Sequence, residues 1–189
     1  MAQAKTLTHA EIDQVLRYVS TTRYPTRNRT LILTSFWSGM RVGEIAALRI
    51  DDVRNDDGTI RHELRLSPEQ TKGRFARTVF INQRLRNELA EYVKTIDASD
   101  PTRSLFYSEK SKMGFSANSL CQWFHWAYKQ AGIAGASSHS GRRSFITSLA
   151  SKGIGVRVLA SLAGHRSIAV TQAYIDVNDD MKRRAVELV

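Results

Sequence analysis

The chain has 189 residues, 42% of them hydrophobic and 24% charged, which supplies one substantial core and excludes a disordered composition. Lysine and arginine total 28 against 18 acidic residues, a formal net charge of +10, and arginine outnumbers lysine 20 to 8; guanidinium forks match phosphates, so a polyanionic partner is the first expectation. The single Cys121 excludes an intrachain disulfide framework and a zinc site of several cysteines.

Thr8 with Glu11 three residues later reads as a capping box, and Ile12, Val15, Leu16 and Val19 follow at helical spacing. Pro25 and its short polar neighbours break this helix. A second helix is predicted over 27–38, and one or two helical turns over 41–48. The period then changes. The DDG at 56–58 and the Lys72–Gly73 pair mark turns, so runs at 50–53, 60–66 and 77–81 read as a small antiparallel sheet.

From Asn82 the helical period returns, with Leu85, Leu89, Tyr92, Val93 and Ile96 on the buried side. A turn around Pro101 and a short apolar piece at 105–107 follow. The stretch 118–131 holds Trp123, Phe124, Trp126 and Tyr128 within a helical pattern, which reads as core packing in preference to a base-stacking platform. Cys121 reads there as a small buried residue. Further helices are predicted near 141–151 and 155–162, and a terminal one from 179, with acidic residues first and Lys182, Arg183 and Arg184 behind them. The fold class is mainly α with a small antiparallel β-sheet, in a single domain over 1–189. Within it, 1–26 is an N-terminal helix and turn, 50–81 the sheet, and 175–189 a C-terminal tail.

Several chemistries lack their motifs. There is no HExxH, and His9, His62 and His125 are scattered; a two-histidine site joining His139 and His165 would lie among arginines that repel a cation. Neither GxxxxGKS nor GxGxxG nor GxSxG occurs, so nucleotide hydrolysis, dinucleotide binding and a serine-hydrolase elbow have no support. The unusual features are four short segments. SGMRVGE sets Arg41 three residues before Glu44, a spacing at which the carboxylate can fix the guanidinium. HSGRRSF sets His139 three residues before Arg142. LAGHRSI places His165 directly after a glycine, and Tyr174 in VTQAYI comes nine residues later.

These segments resemble the catalytic domain of the tyrosine recombinases, the phage integrase family of site-specific DNA recombinases. The family pattern is an early Arg followed by an acidic residue, a hairpin Lys, His-x-x-Arg, a His or Trp after Gly, and a final Tyr. Arg41 with Glu44, Lys72 in TKGRFARTV, His139 with Arg142, His165 and Tyr174 match it in order, over about 31–174. Two departures stand out. Ser140 and Gly141 replace the usual acidic residue and leucine, which is expected to weaken the helix start. The usual N-terminal core-binding domain is not expected within this chain, since the residues ahead of the pattern are too few for it; an excised catalytic domain and a naturally minimal recombinase both fit.

The resemblance implies a mechanism that the residue chemistry supports. Arg41 and Arg142 suit bidentate, charge-assisted hydrogen bonds to phosphate oxygens. Tyr174 is the expected nucleophile, His139 its proton acceptor, His165 a donor to a phosphate oxygen, and Lys72 the general acid for the leaving 5′-oxygen. Glu44 supports Arg41. Arg74, Arg77, Arg143 and Arg166 are candidate contacts to DNA phosphates. No metal or other cofactor is required by this chemistry. The expected partner is double-stranded DNA, with self-association to a tetramer on DNA and a monomer when free. No run reaches the roughly 20 apolar residues that span a membrane, the opening MAQAKTLTHAEIDQ lacks a signal-peptide core, and a cytoplasmic setting is expected. The alternatives are a type IB topoisomerase-like enzyme that relaxes DNA, a non-catalytic DNA-binding regulator, and a hydrolytic nuclease, which the absence of a metal-binding carboxylate motif disfavours.

Overall fold

The computed structural model describes residues 4–108, 113–175 and 179–187. The first helix, α1 (His9–Ser20), starts where the capping box predicts. The Glu11 amide donates to Thr8 Oγ1 (3.2 Å) and the Thr8 amide to Glu11 Oε2 (2.9 Å), satisfying two otherwise orphaned donors. Its buried side is Ile12, Val15 and Val19. Pro25, with φ preset and no amide to lose, opens α2 (Pro25–Ser38) two residues earlier than expected. This helix is buried on nearly every side, including its polar Asn28, Thr30, Thr34 and Ser35. It runs through the middle of the domain, against α1, α5 (Gln83–Val93) and α7 (Ser140–Ser151).

A short α3 (Val42–Ala46) follows. The run at 50–53, expected as a strand, is instead a helical turn, α4 (Ile50–Val53). Asp52 accepts from the Arg49 amide (2.8 Å) and, with Asp51, puts negative charge on the first turn; this local capping outweighs the β-branched Ile50 and Val53. The DDG turn does reverse the chain, but it closes a single bridge between Arg54 and Ile60. The sheet is two-stranded: β1 (Glu63–Leu66) and β2 (Arg77–Phe80) pair antiparallel, Glu63 opposite Phe80 and Leu66 opposite Arg77. Leu64, Leu66 and Val79 carry its buried face. The Lys72–Gly73 turn sits between the two strands.

Asn82 caps α5 by accepting from the Leu85 amide (2.9 Å); Leu85, Leu89, Tyr92 and Val93 are buried, while Ile96 packs only partly against the core. On α6 (Ala117–Gln130), Leu120, Phe124 and Tyr128 enter the core. Trp126 does not: it is 41% exposed, edge-on to Tyr18, because it lies two positions from Phe124 and so on another side of the helix. Cys121 is half-buried, its Sγ 3.3 Å from Ser138 Oγ.

The chain ends in α7, α8 (Val156–Ala163), α9 (Ile168–Gln172) and α10 (Asp179–Val186). Of the expected tail, residues 176–178 and 188–189 lie outside the described residues. Among the described residues no helix is long and apolar enough to cross a membrane.

Gly141, expected to weaken the start of α7, has a packing role instead. A Cβ there would lie 2.3 Å from Ser35 Oγ and 2.9 Å from the Ser35 carbonyl carbon, so only glycine lets α7 approach α2 this closely. Gly141→Ala is therefore expected to destabilise the fold by about 1–3 kcal/mol, despite alanine's better helix propensity. A thermal melt should show a fall in Tm of roughly 2–10 °C; an unchanged or higher Tm would refute this account of the crossing.

Candidate active site

The site gathers at the C-terminal end of α8, where helical carbonyls lack intrahelical partners. Three arginines from three elements supply them with donors. Arg77 Nη1, on β2, donates to the Leu162 carbonyl (3.0 Å). Arg142 Nη2, on α7, donates to the Ala163 carbonyl (2.7 Å). Arg41 Nη2, at the start of α3, donates to the Gly164 carbonyl (3.0 Å). Arg142 also reaches back with Nη1 to the Gly39 carbonyl (2.6 Å), where α2 ends.

Glu44 is the carboxylate at the centre. It is 1% exposed and accepts from Arg41 Nη1 (3.0 Å) and the Arg41 amide (2.8 Å). It also accepts from both Nε (3.1 Å) and Nη2 (2.7 Å) of Arg77. Arg77 was expected at a DNA phosphate; it is instead an internal partner of Glu44, which explains why its guanidinium faces α3 and α8. Burial alone pushes the Glu44 carboxyl up, but the hydrogen bonds and charge of Arg77, joined by those of Arg41, outweigh it and hold it below the ordinary carboxylate value.

Arg142 is 4% exposed. Burial, then the charge of Arg41, pulls its pKa down to about 10, so it remains charged at neutral pH. Its Nη2 lies 2.7 Å from Nε2 of His165, and the other nitrogen of that ring, Nδ1, lies 2.9 Å from Thr171 Oγ1. Burial and the charges of Arg142, Arg41 and Arg77 lower the His165 pKa to about 4; the ring is neutral at pH 7.

Tyr174 follows α9 in a turn. Its ring stacks on His165, centroids 5.7 Å apart and planes at 22°. Arg143 covers it from another side, Cζ 5.4 Å from the ring centre, while Arg143 Nε donates to Thr6 Oγ1 (3.1 Å). His139 stands at the N-cap of α7 and lines one cleft with Tyr174, Arg143, Ser137 and Val170. Packing around the ring, then the charges of Arg142, Lys72 and Arg41, lowers the His139 pKa, which favours the neutral, proton-accepting form.

Lys72 and Arg74 are exposed at the tip of the β1–β2 connection, where Arg74 adopts φ +52°. Beside them Arg166, from the loop after His165, lies over the ring of Phe75 (4.5 Å), tying the hairpin tip to the end of α8. Arg41, Arg142 and His165 thus meet at the end of α8, and Tyr174 stacks on His165 and shares a cleft with His139; Lys72, on the exposed hairpin tip, reaches them through its charge on His139. Sequence reasoning missed Thr171 and the internal role of Arg77. Thr171 had a signal in its place three residues before Tyr174; for Arg77 nothing local distinguishes a buried partner from a surface cation.

Residues 5–181 match the phage integrase family. The chain is 28% identical over 183 residues to tyrosine recombinase XerA of Pyrococcus furiosus, covering 97% of this chain and 61% of that protein. It is 28% identical to tyrosine recombinase XerC of Lactobacillus delbrueckii over 89% of this chain and 57% of that one. The chain therefore spans about three-fifths of the length of these relatives. Among solved structures it resembles XerA recombinase (TM-score 0.76, 23% identity, 100% of this chain and 66% of that one). It also resembles the catalytic domain of bacteriophage HP1 integrase (TM-score 0.66, 20% identity, 91% of this chain and 87% of that one).

Removing the carboxylate would leave three guanidiniums facing one another. Glu44→Gln is expected to cost about 3–5 kcal/mol at pH 7. Because the folded-state pKa of Glu44 is depressed below 4.5, its stabilisation is complete above the unfolded-state value and is lost as pH falls through the folded one. Chemical denaturation should show the two proteins far apart at pH 7 and converging below pH 4.5; a pH-independent gap would contradict the ion-pair account.

Proposed function

The chain belongs to the phage integrase family, and on that premise we propose that it is the catalytic domain of a site-specific DNA recombinase or integrase. It cleaves and rejoins strands through a 3′-phosphotyrosyl intermediate. One observation carries this reading: Arg41 and Arg142 are anchored on the consecutive carbonyls of Gly164 and Ala163, with His165 and the Tyr174 ring stacked beside them. Each guanidinium has five N–H donors, and those not engaged by the protein are available to the oxygens of one phosphodiester.

In the first step Tyr174 Oη attacks phosphorus and its proton passes to neutral His139. The P–O5′ bond breaks, and the Lys72 ammonium gives a proton to O5′. The products are a 3′-phosphotyrosine and a free 5′-hydroxyl. A 5′-hydroxyl from a partner strand then attacks the phosphotyrosine and gives its proton to neutral Lys72, Tyr174 recovers its proton from His139, and the phosphodiester count is unchanged; no ATP, metal or other cofactor enters the balance. Negative charge grows on the phosphorane oxygens, where Arg41, Arg142 and His165 act by electrostatic stabilisation. Arg74, Arg143 and Arg166 face flanking phosphates, double-stranded DNA is the partner, and four protomers assemble on two duplexes from a free monomer in the cytoplasm. Relatives of this fold have been solved with nucleic acid: the Tn1549 transposon integrase in complex with circular intermediate DNA (TM-score 0.74, 17% identity) and XerH bound to a difH substrate.

A suicide duplex, nicked beside a selected target site, tests the reading. The intact chain should form a covalent 3′-linked adduct, and Tyr174→Phe should form none; an adduct with Tyr174→Phe would reject the nucleophile. Arg142→Ala should slow cleavage by about a hundredfold or more while retaining most of the salt-sensitive binding, which depends on many phosphate contacts. Equal loss of binding and cleavage would point to a DNA-binding regulator instead.

The acid limb of the cleavage profile should also be displaced. His139 must be unprotonated to accept the tyrosine proton, and its pKa lies below 6.5. Single-turnover cleavage is therefore expected to hold its rate from pH 7 down past 6.5 before declining. A decline centred above 6.5 would exclude His139 as the acceptor.

A further inference from the structure

Thr171 is completely buried, on α9, three residues ahead of Tyr174. Its hydroxyl lies 2.9 Å from His165 Nδ1, and the opposite ring nitrogen lies 2.7 Å from Arg142 Nη2. A guanidinium can only donate, so Nε2 of His165 must accept. The ring is neutral at pH 7 because its pKa is about 4. Its one proton is therefore on Nδ1, and the Thr171 oxygen accepts it.

That tautomer is the wrong one for catalysis. To stabilise a phosphate oxygen, His165 must present Nε2–H, which leaves a lone pair on Nδ1 in need of a donor. A carbonyl or carboxylate in place of Thr171 would hold only the Nδ1–H form, and an amide N–H only the Nε2–H form. A hydroxyl alone among these serves both, by turning its own hydrogen toward the ring.

We infer that Thr171 is a positioning residue that lets His165 change tautomer: its hydroxyl accepts from Nδ1–H in the DNA-free protein and donates to Nδ1 when Nε2–H turns to a phosphate oxygen. The exchange is proton-neutral, since Nδ1 loses one proton to water and Nε2 gains one from it. This inference rests on the strand-transfer reading above and adds to it a residue that touches neither DNA nor Tyr174 Oη.

Nitrogen-15 NMR of histidine-labelled full chain at pH 7, with His165 assigned by comparison with His165→Gln, reads the tautomer directly. The free protein should show Nδ1 protonated. Tyr174→Phe bound to an intact target duplex, which it cannot cleave, should show Nε2 protonated. Thr171→Val keeps the shape and removes the hydroxyl; it should bind DNA normally and cleave the suicide duplex about tenfold more slowly. Thr171→Ser, which restores the hydroxyl, should recover most of that loss. An Nε2–H tautomer in the free wild type, an Nδ1–H tautomer in the complex, or full-rate cleavage by Thr171→Val would each overturn the inference. If Thr171→Val does not fold, the two tautomer readings decide. Failure of the wild type to form any adduct would instead reject the strand-transfer reading, and leave the free-state tautomer as a separate measurement.

Discussion

The active centre depends on how one helix ends. The carbonyls of Leu162, Ala163 and Gly164 terminate α8 and receive Arg77, Arg142 and Arg41 in succession. These oxygens carry the negative end of the helix dipole, so they attract cations without bringing a net negative charge that would cancel them. The arginines come from β2, α7 and the start of α3, elements far apart in the chain. A single helix end thereby fixes the relative positions of the hairpin, the central helix pair and the catalytic turn. Backbone oxygens, unlike side chains, have no rotamers to lose, and this is the sense in which the site is organised before any substrate arrives.

The same end explains why glycine precedes His165. Gly164 closes α8 with φ +63°, and a Cβ there would lie 2.8 Å from Arg77 Cδ. One residue both turns the chain out of the helix and leaves room for the guanidinium that holds Glu44. His165 then emerges directly beside Arg142, and α9 brings Thr171 and Tyr174 back to it. The order glycine, histidine, threonine, tyrosine is thus a consequence of one turn and one short helix, not of separate placements.

Much of this was legible in the sequence, for reasons that differ between elements. The box at Thr8 and Glu11 and the apolar spacing of Leu85, Leu89 and Tyr92 are local signals, and local signals survive folding. The Arg41–Glu44 pair was legible because three residues separate its members. The strand expected at 50–53 failed because Asp52 caps a helical turn, with Asp51 adding charge to its first turn, a competing local preference that composition alone does not weigh. Trp126 was misplaced because helical periodicity was read from its neighbours and not from its own angular position. Arg77 and Gly141 lay beyond reach for a different reason. Their roles are set by partners 33 residues away at Glu44 and across the helix crossing at Ser35, and nothing in their own segments distinguishes them.

The charge balance of the centre connects its stability to its chemistry. Three buried or half-buried guanidiniums face a single carboxylate, so the folded protein holds an excess of positive charge in a place poorly reached by water. The depressed pKa of Arg142, about 10, comes first from its burial and then from this excess; a base so disfavoured in its charged form destabilises the fold on the order of 3 kcal/mol. Were Glu44 absent the excess would be larger and the fold less stable. A second carboxylate would cut the excess from two charges to one and weaken the attraction for an anion. In the proposed strand transfer a phosphodiester would bring one negative charge, and the Tyr174 oxygen, its proton passed to His139, a second as it bonds to phosphorus. Arg41 and Arg142 would therefore face the most negative charge when the phosphorane forms, not when the free protein folds or the substrate first binds. In the proposed reaction fold stability and transition-state binding would pull in opposite directions on Arg41 and Arg142, and Glu44, shared with Arg77, sets where they balance.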